Sequence, residues 1–175
     1  MERNMEDLTQ DPIFNRTVIE FLTVANDYCL FVEKAHKYKL DDILEYLQKI
    51  APLIYLKGAL LPEVEPENPD ADERFVTEEN WEIIFNDMRD KFVDKDFFWF
   101  IDDSTFIDTE ITKGSIPELL ADIYQDLKDF VMLYQKNTLN AKQNAVKSCK
   151  ELFARNWGYK SILLQKAIHK ILFID

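Results

Sequence analysis

Apolar side chains recur every three or four positions along most of the chain, the spacing that places them on one face of an α-helix. The pattern is clearest in residues 115–134, where Ser115 and Glu118 match a capping box and Pro117 falls in the first turn. The apolar positions of this segment share an arc of about 140°: Leu119, Leu120, Ile123, Tyr124, Leu127, Phe130, Val131 and Tyr134. An arc this wide predicts a central helix with neighbours on two sides.

The same spacing predicts four more helices. The first begins at Asp11 and Pro12 and ends near residues 36–38. The second spans about residues 41–57, with a kink or a local break at Pro52 and Gly58 as its C-cap. The third begins at Thr77 and ends near residue 93. The last covers residues 139–173 as one long helix, because its apolar stripe keeps the same phase across Gly158.

These elements predict the fold class all-α. We expect a single-domain antiparallel helical bundle of about five helices over residues 1–175, with a long C-terminal helix. The helix of residues 115–134 is expected to pack against the first helix and the long last one.

Two segments interrupt the helical pattern. Residues 60–76 form an acidic, proline-rich stretch and are expected to be an exposed loop. Residues 94–114 form an aromatic and acidic connector that contains the run Phe97-Phe98-Trp99-Phe100-Ile101. This run fits either a short buried strand or irregular chain at one end of the bundle. We expect most of it to be buried, with one or two aromatic side chains left on a groove.

The charge is unevenly distributed along the chain. The 175 residues carry a net charge of −12, yet residues 136–175 contain eight basic and two acidic side chains. A basic segment of this kind can bind nucleic acid, but the acidic remainder would repel phosphates. The pattern therefore favours ion pairs within the molecule, with Asp122, Asp126 or Asp129 near bases of the last helix. The bases expected there are Lys150, Arg155 and Lys160.

The sequence also limits the location of the protein. The first residues lack the apolar core of a signal peptide, and no uncharged run approaches the roughly 20 residues of a membrane span. Cys29 and Cys149 lie on apolar helical faces, as buried thiols do in a reducing compartment. We expect a soluble, cytoplasmic protein that does not bind membranes.

Motifs for chemistry are weak. Three glycines and no Gly-x-Gly pair exclude a glycine-rich phosphate loop. Glu33 and His36 have the Glu-x-x-His spacing of di-iron bundles, but the other histidine, His169, has a lysine at the matching position. We therefore predict no catalytic residues, no metal ligands and no cofactor. The candidates for a pocket or an interface are Trp99, Asp102, Asp103, Asp122, Tyr124, Asp126, Trp157 and Tyr159.

Three pieces of the chain resemble a bacterial family of domains of unknown function. They are Leu60-Leu61-Pro62, the run Leu120–Lys128 with its Ala-Asp-Ile-Tyr-x-Asp-Leu-Lys pattern, and Trp157-Gly158. The resemblance spans nearly the whole length and implies a standalone helical domain with no assigned activity. Members of this family often carry histidines around the Trp-Gly pair. Asn156, Tyr159 and Lys160 stand there in this chain, which argues against a metal site.

Three functional hypotheses follow, in order of preference. The first is a non-catalytic helical interaction or regulatory module with a protein partner. The second is an enzyme or binder of a small ligand or metal, with a pocket built from Asp122, Asp126 and the acids of residues 102–110, with Tyr124 and Tyr159 as further candidates. The third is nucleic-acid binding through the basic last helix.

Overall fold

The computed structural model describes residues 11–102 and 110–174. Six α-helices and one two-stranded hairpin make up most of the regular structure of these residues, and the last two helices form one continuous segment. The elements, in chain order, are α1 (Arg16–Glu33), α2 (Leu40–Ala59), α3 (Glu78–Phe92), β1 (Phe97–Asp102), β2 (Glu110–Ser115), α4 (Ile116–Tyr134), α5 (Leu139–Leu152) and α6 (Gly158–Phe173). Short 3₁₀ turns precede α1, follow α1 and α3, and interrupt the segment between α2 and α3. The predicted all-α bundle is confirmed, with a small hairpin added.

Helix α4 is the centre of the bundle, as its wide apolar arc predicts. It begins where Ser115 accepts a hydrogen bond from the Glu118 N–H, and it contacts α1, α3, α5 and α6. Two buried tyrosines join it to the first helical segment: Tyr28 donates to the carbonyl of Leu120 at 2.9 Å, and Tyr134 donates to the carbonyl of Ile13 at 2.7 Å. The expected packing against the first and last helices is therefore confirmed.

Helices α5 and α6 form one long C-terminal segment, joined by a π-helical turn at Phe153–Trp157. The extra residue of a π turn changes which side chain faces inward. Here the turn brings Trp157 fully into the core, where it stacks on Phe21 and donates its Nε1–H to the carbonyl of Cys149 at 3.1 Å. The prediction of a single long helical segment is confirmed.

Helix α2 differs from the prediction at two positions. It continues through Pro52 without a local break, and Gly58 lies in its last turn instead of capping it. Gly58 is required by packing: a Cβ at this position would lie 2.2 Å from Cη2 of Trp157. The glycine therefore permits close approach of α2 to the π turn, and the prediction of a C-cap role is wrong.

The loop of residues 60–76 is less exposed than the sequence predicts. Leu61, Val64 and Pro66 are buried, because the loop runs back along the surface of α4 and α5. Lys150 donates to the carbonyl of Leu61 at 2.5 Å. Asp129 accepts hydrogen bonds from the backbone at the other end of the loop. Proline and acidic residues prevent helix formation here, but they do not prevent ordered packing.

The connector of residues 94–114 contains an antiparallel hairpin. Strand β1 pairs with β2 in the register Phe98 to Gly114 and Ile101 to Ile111. Only Phe98 of the aromatic run is buried, so the expectation that most of the run would be buried is wrong. Side chains alternate between the two faces of a strand, and the bundle covers only one face. Residues 103–109, between the strands, lie outside the described part of the chain.

Candidate functional site

The hairpin is fixed to the start of α4. Buried Asp96, just before β1, accepts a hydrogen bond from the Ser115 hydroxyl at 2.6 Å, and its carbonyl accepts from the Ile116 N–H at 2.8 Å. Phe98 lies against Gly114, where an added Cβ would come within 2.5 Å of the Phe98 ring. These contacts place the inner face of the hairpin over α4 and α6 and create a groove on each side of Phe98.

The first groove, which we call the acidic–aromatic groove, has a volume of about 410 Å³. It lies between the inner face of the hairpin and the helices α4 and α6. Its walls carry aromatic rings, carboxylates and two lysines: Phe98, Phe100, Asp102, Lys113, Glu118, Asp122, Tyr159 and Lys160. This is the place where three of the predicted candidates, Asp102, Asp122 and Tyr159, come together.

The carboxylate of Asp122 is already engaged inside this groove. One oxygen accepts from the indole N–H of Trp81 at 2.8 Å, and the other accepts from Lys160 at 2.5 Å. Both oxygens of this carboxylate are therefore occupied by donors of the protein itself. The groove is therefore better suited to binding a ligand than to proton transfer.

The second groove, which we call the basic–aromatic groove, lies on the other side of Phe98 and has a volume of about 440 Å³. Trp99, Ala167 and Ile174 complete its apolar walls, and Lys166, His169 and Lys170 line it from α6. Sequence reasoning missed this site. The available signal was the spacing of the three basic side chains, at i, i+3 and i+4 of one helix, which places them on one face.

The outer face of the hairpin is apolar and exposed. Phe97, Trp99, Ile101 and Ile111 have exposed fractions of 55%, 62%, 58% and 73%. The register pairs Ile101 with Ile111 and places these side chains on the same face. Lys113 extends over the Phe97 ring, with its Nζ 3.5 Å from the ring centroid. We call these five residues the aromatic face.

Three of the other predicted candidates lie away from both grooves. Trp157 belongs to the core. Tyr124 donates its hydroxyl to Glu33 at 2.9 Å, and burial together with this bond raises the pKa of the tyrosine. Asp126 faces Asn156, which donates to it at 2.7 Å. The prediction that Tyr124 and Asp126 share a pocket with Asp122 is therefore wrong, because Tyr124 lies on another side of α4 and Asp126 lies one helical turn further along it. Asp103 lies outside the described residues.

Burial raises the pKa of the Asp126 carboxyl, although the bond from Asn156 and the charges of Arg74 and Lys160 partly offset this effect. Arg74 approaches Asp126 at 3.7 Å and Asp129 at 3.2 Å. This arrangement belongs to a small cleft of about 10 Å³, which is room for about one water molecule. Asp126 therefore acts in packing the loop of residues 60–76 and not in a ligand site.

The predicted ion pairs between α4 and the last helix form at one position. Lys160 pairs with Asp122 as expected. Asp129 instead pairs with Arg74 from the loop, and Arg155 pairs with Glu151 on its own helix. Lys150 lies 3.3 Å from Glu63, so it pairs with a carboxylate of the loop of residues 60–76 and not with an aspartate of α4.

The described residues provide neither a metal-binding cluster nor a reactive thiol. In residues 11–102 and 110–174, no group of three or more His, Cys, Asp and Glu side chains could hold a metal ion. Glu33 is held by Tyr124 and by Lys128 at 2.6 Å. Burial raises the pKa of both Cys29 and Cys149, so these thiols stay protonated at neutral pH. None of the described helices is both long enough and apolar enough to cross a bilayer.

Comparison with known proteins places the chain in a family. Residues 12–173 match the model of a domain of unknown function, DUF5063. The chain belongs to the DUF5063 family. The predicted resemblance to a helical family of unknown function is thereby confirmed.

A solved structure shares the fold of this DUF5063 domain. It is the crystal structure of protein BF1032 from Bacteroides fragilis, a structural genomics target. The two chains are 33% identical, the match covers 94% of this chain and 98% of the other, and the TM-score is 0.83. No curated protein matches the chain. The family and the fold are thus established, and neither name states an activity.

Proposed function

We propose that this DUF5063 domain is a non-catalytic, cytoplasmic interaction module that binds a partner protein through the aromatic face of its hairpin. The observation that carries the proposal is the exposure of four large apolar side chains on one face: Phe97, Trp99, Ile101 and Ile111. A cluster of this kind is costly in water and typically marks an interaction surface.

The composition of the aromatic face supports this proposal. Tryptophan is among the residues that most often dominate binding energy, and Trp99 lies at the centre of the face. Lys113 lies over the Phe97 ring and places a charged group at the edge of the apolar cluster. Protein interfaces commonly have such a polar rim around an apolar centre. The hydrogen bond from Ser115 to Asp96 holds the hairpin in place, so the hairpin loses little conformational entropy when a partner binds.

A non-catalytic role is supported by the state of the carboxylate and the thiols that could take part in catalysis. Asp122 already accepts from Trp81 and Lys160, and the raised pKa of the buried thiols removes Cys29 and Cys149 as nucleophiles. These groups stabilise the fold, and none of them is left poised for proton transfer or nucleophilic attack.

The proposal is tested by affinity capture from the cells that produce the protein. The bait is the full chain, as wild type and as the double variant Trp99→Ser and Ile101→Ser. The control is Leu56→Ser with Ile83→Ser, which removes two apolar side chains of similar exposure from α2 and α3. We expect a protein captured by wild type and control to be lost with the hairpin variant, while circular dichroism shows all three folded. Equal capture by all three baits would refute the proposal.

A second candidate function is the binding of a small ligand in the acidic–aromatic groove. Its volume of about 410 Å³ lies within the usual range of ligand sites, about 300–1,000 Å³. Phe100, Asp102 and Tyr159 suit a ligand that carries a positive charge and an apolar body. A panel of amines in a thermal-shift assay tests this. A ligand at 100 times its dissociation constant adds about 2.7 kcal/mol, and Tyr159→Ala should remove that gain while Ile83→Ala should not.

Nucleic-acid binding through the last helix receives less support. Lys150 and Lys160 are engaged with Leu61, Glu63 and Asp122, so part of the basic charge is neutralised within the molecule.

A further inference from the structure

The basic–aromatic groove joins the aromatic face at Trp99. That side chain is 62% exposed, and it contributes both to the outer surface of the hairpin and to the wall of the groove. A segment bound on the aromatic face can therefore continue into the groove without leaving the protein surface. The floor is formed by Phe98 and Ala167, which are both buried. At about 440 Å³, the groove has room for large apolar side chains but not for a folded domain.

The rim of this groove is positively charged in a protein whose net charge is −12. Lys166, His169 and Lys170 are exposed and lie on one face of α6. Within residues 11–102 and 110–174, neither Lys166 nor His169 makes an ion pair. Most other lysines of the last helical segment contact carboxylates or carbonyls of the chain itself. The charge of Lys166 is therefore not balanced by an ion pair within the described residues.

We propose that the partner segment is a short acidic and apolar peptide stretch that docks in the basic–aromatic groove. One or two large apolar side chains enter between Trp99 and α6, and flanking carboxylates contact Lys166 and His169. This inference rests on the proposed function, because it names the chemistry of the partner that the aromatic face binds. An acidic segment is complementary to the rim, while a basic segment would meet Lys166 and Lys113 with like charge.

A protein segment fits this site better than a nucleic acid does. Exposed bases could stack on Trp99, and the basic rim attracts phosphates as well as carboxylates, so the apolar floor decides between the two. The floor formed by Phe98 and Ala167 offers no hydrogen-bonding side chain to a base edge. An apolar side chain of a peptide gains hydrophobic free energy by contact with this apolar floor and leaves no hydrogen bond unmade.

The probes are fluorescein-labelled peptides of about twelve residues, long enough to span one face of a small groove. One set alternates aspartate or glutamate with leucine, phenylalanine or tryptophan. The second set carries lysine at each acidic position, and the third carries glutamine. Binding to the full chain is measured by fluorescence anisotropy at two salt concentrations, beside a labelled single-stranded oligonucleotide of mixed sequence. We expect binding of the acidic set alone, weakened by salt because the rim is exposed.

The variants locate the binding site. Lys166→Glu with Lys170→Glu should weaken the acidic peptide about tenfold or more through loss of charge complementarity. Arg16→Glu with Lys136→Glu, which reverses two exposed charges near the C-terminal end of α4, the end opposite the hairpin, should leave it unchanged. Binding of the lysine set or of the oligonucleotide in preference to the acidic set would overturn the inference. So would acidic binding that is insensitive to Lys166→Glu with Lys170→Glu.

The capture assay separates this inference from the proposed function. If capture of the partner depends on Trp99 and Ile101 but is unchanged by Lys166→Glu with Lys170→Glu, the aromatic face binds a partner of other chemistry and only this inference fails. If capture is unchanged by the hairpin variant, the proposed function itself fails.

Discussion

Replacement of Asp129 by alanine should detach one end of the loop of residues 60–76. Asp129 is almost fully buried, and one carboxylate oxygen accepts the backbone N–H groups of Phe75 and Val76 at 2.7 and 2.9 Å. The other oxygen faces Arg74 at 3.2 Å. The loop leads into α3, so these bonds fix both its path and the start of that helix.

The expected loss is set by the two backbone bonds. Hydrogen bonds to a charged group contribute about 1.5–3 kcal/mol each, and the lower end applies because Phe75 and Val76 are only half-buried. Asp129→Ala should therefore cost about 3 kcal/mol. Arg74 is 49% exposed, so solvent screening limits its contribution, and Arg74→Ala should cost less than about 1 kcal/mol. Asp129→Asn keeps an acceptor for both N–H groups and should cost about 1 kcal/mol.

Two measurements check these values. Urea unfolding gives the free energy of unfolding for the wild type and the three variants. Hydrogen exchange gives the protection of the Phe75 and Val76 amides, which should be lost in Asp129→Ala and kept in Arg74→Ala. If Arg74→Ala is as costly as Asp129→Ala, or if the two amides exchange freely in the wild type, the ion pair or another contact holds the loop and our reasoning is wrong.

Three further substitutions test other parts of the fold. Burial raises the pKa of Asp126 above its ordinary 3.8, so the unfolded chain releases this proton more readily than the folded protein does, and stability should fall as pH rises from about 3.8 through the folded pKa. In Asp126→Asn, urea unfolding from about pH 4 to 7 should lack this fall. Gly58→Ala should cost about 2 kcal/mol through the clash with Trp157, and a double-mutant cycle should show Trp157→Phe less costly in that background. Val93→Gly should stabilise by about 1 kcal/mol, because exposed Val93 has a φ of 47° that valine rarely adopts; an unchanged or lower unfolding midpoint would contradict this.

The helices were predictable because their signals are local. The capping residues Thr77 and Ser115 and the apolar spacing of α4 act within a few positions of the chain, so they can be recognised without the fold. The hairpin was less predictable. Phe97–Ile101 is a continuous apolar run, so it has no alternation of apolar and polar residues by which a strand could be told from a helix. The exposure of its side chains depends on which face of the hairpin the bundle covers.

The candidate site was predicted only in part. Asp102, Asp122 and Tyr159 meet in one groove, but Asp126 does not join them, because four residues along a helix move a side chain about 6 Å along the helix axis. Asp122 and Asp129 looked equivalent in sequence. Their different partners, Trp81 and Lys160 for Asp122 and the loop backbone for Asp129, lie 38 to 54 residues away in the chain.

The amino-acid sequence by itself determines the all-α class, the central place of α4 and the continuity of the last helical segment. These depend on periodicity and capping, which are properties of neighbouring residues. Only the tertiary structure decides that Gly58 admits Trp157, that Phe98 divides two grooves, and that Trp99 stays exposed beside Lys166. Each of these facts depends on the distance between segments that are far apart in the chain, and no local pattern encodes that distance.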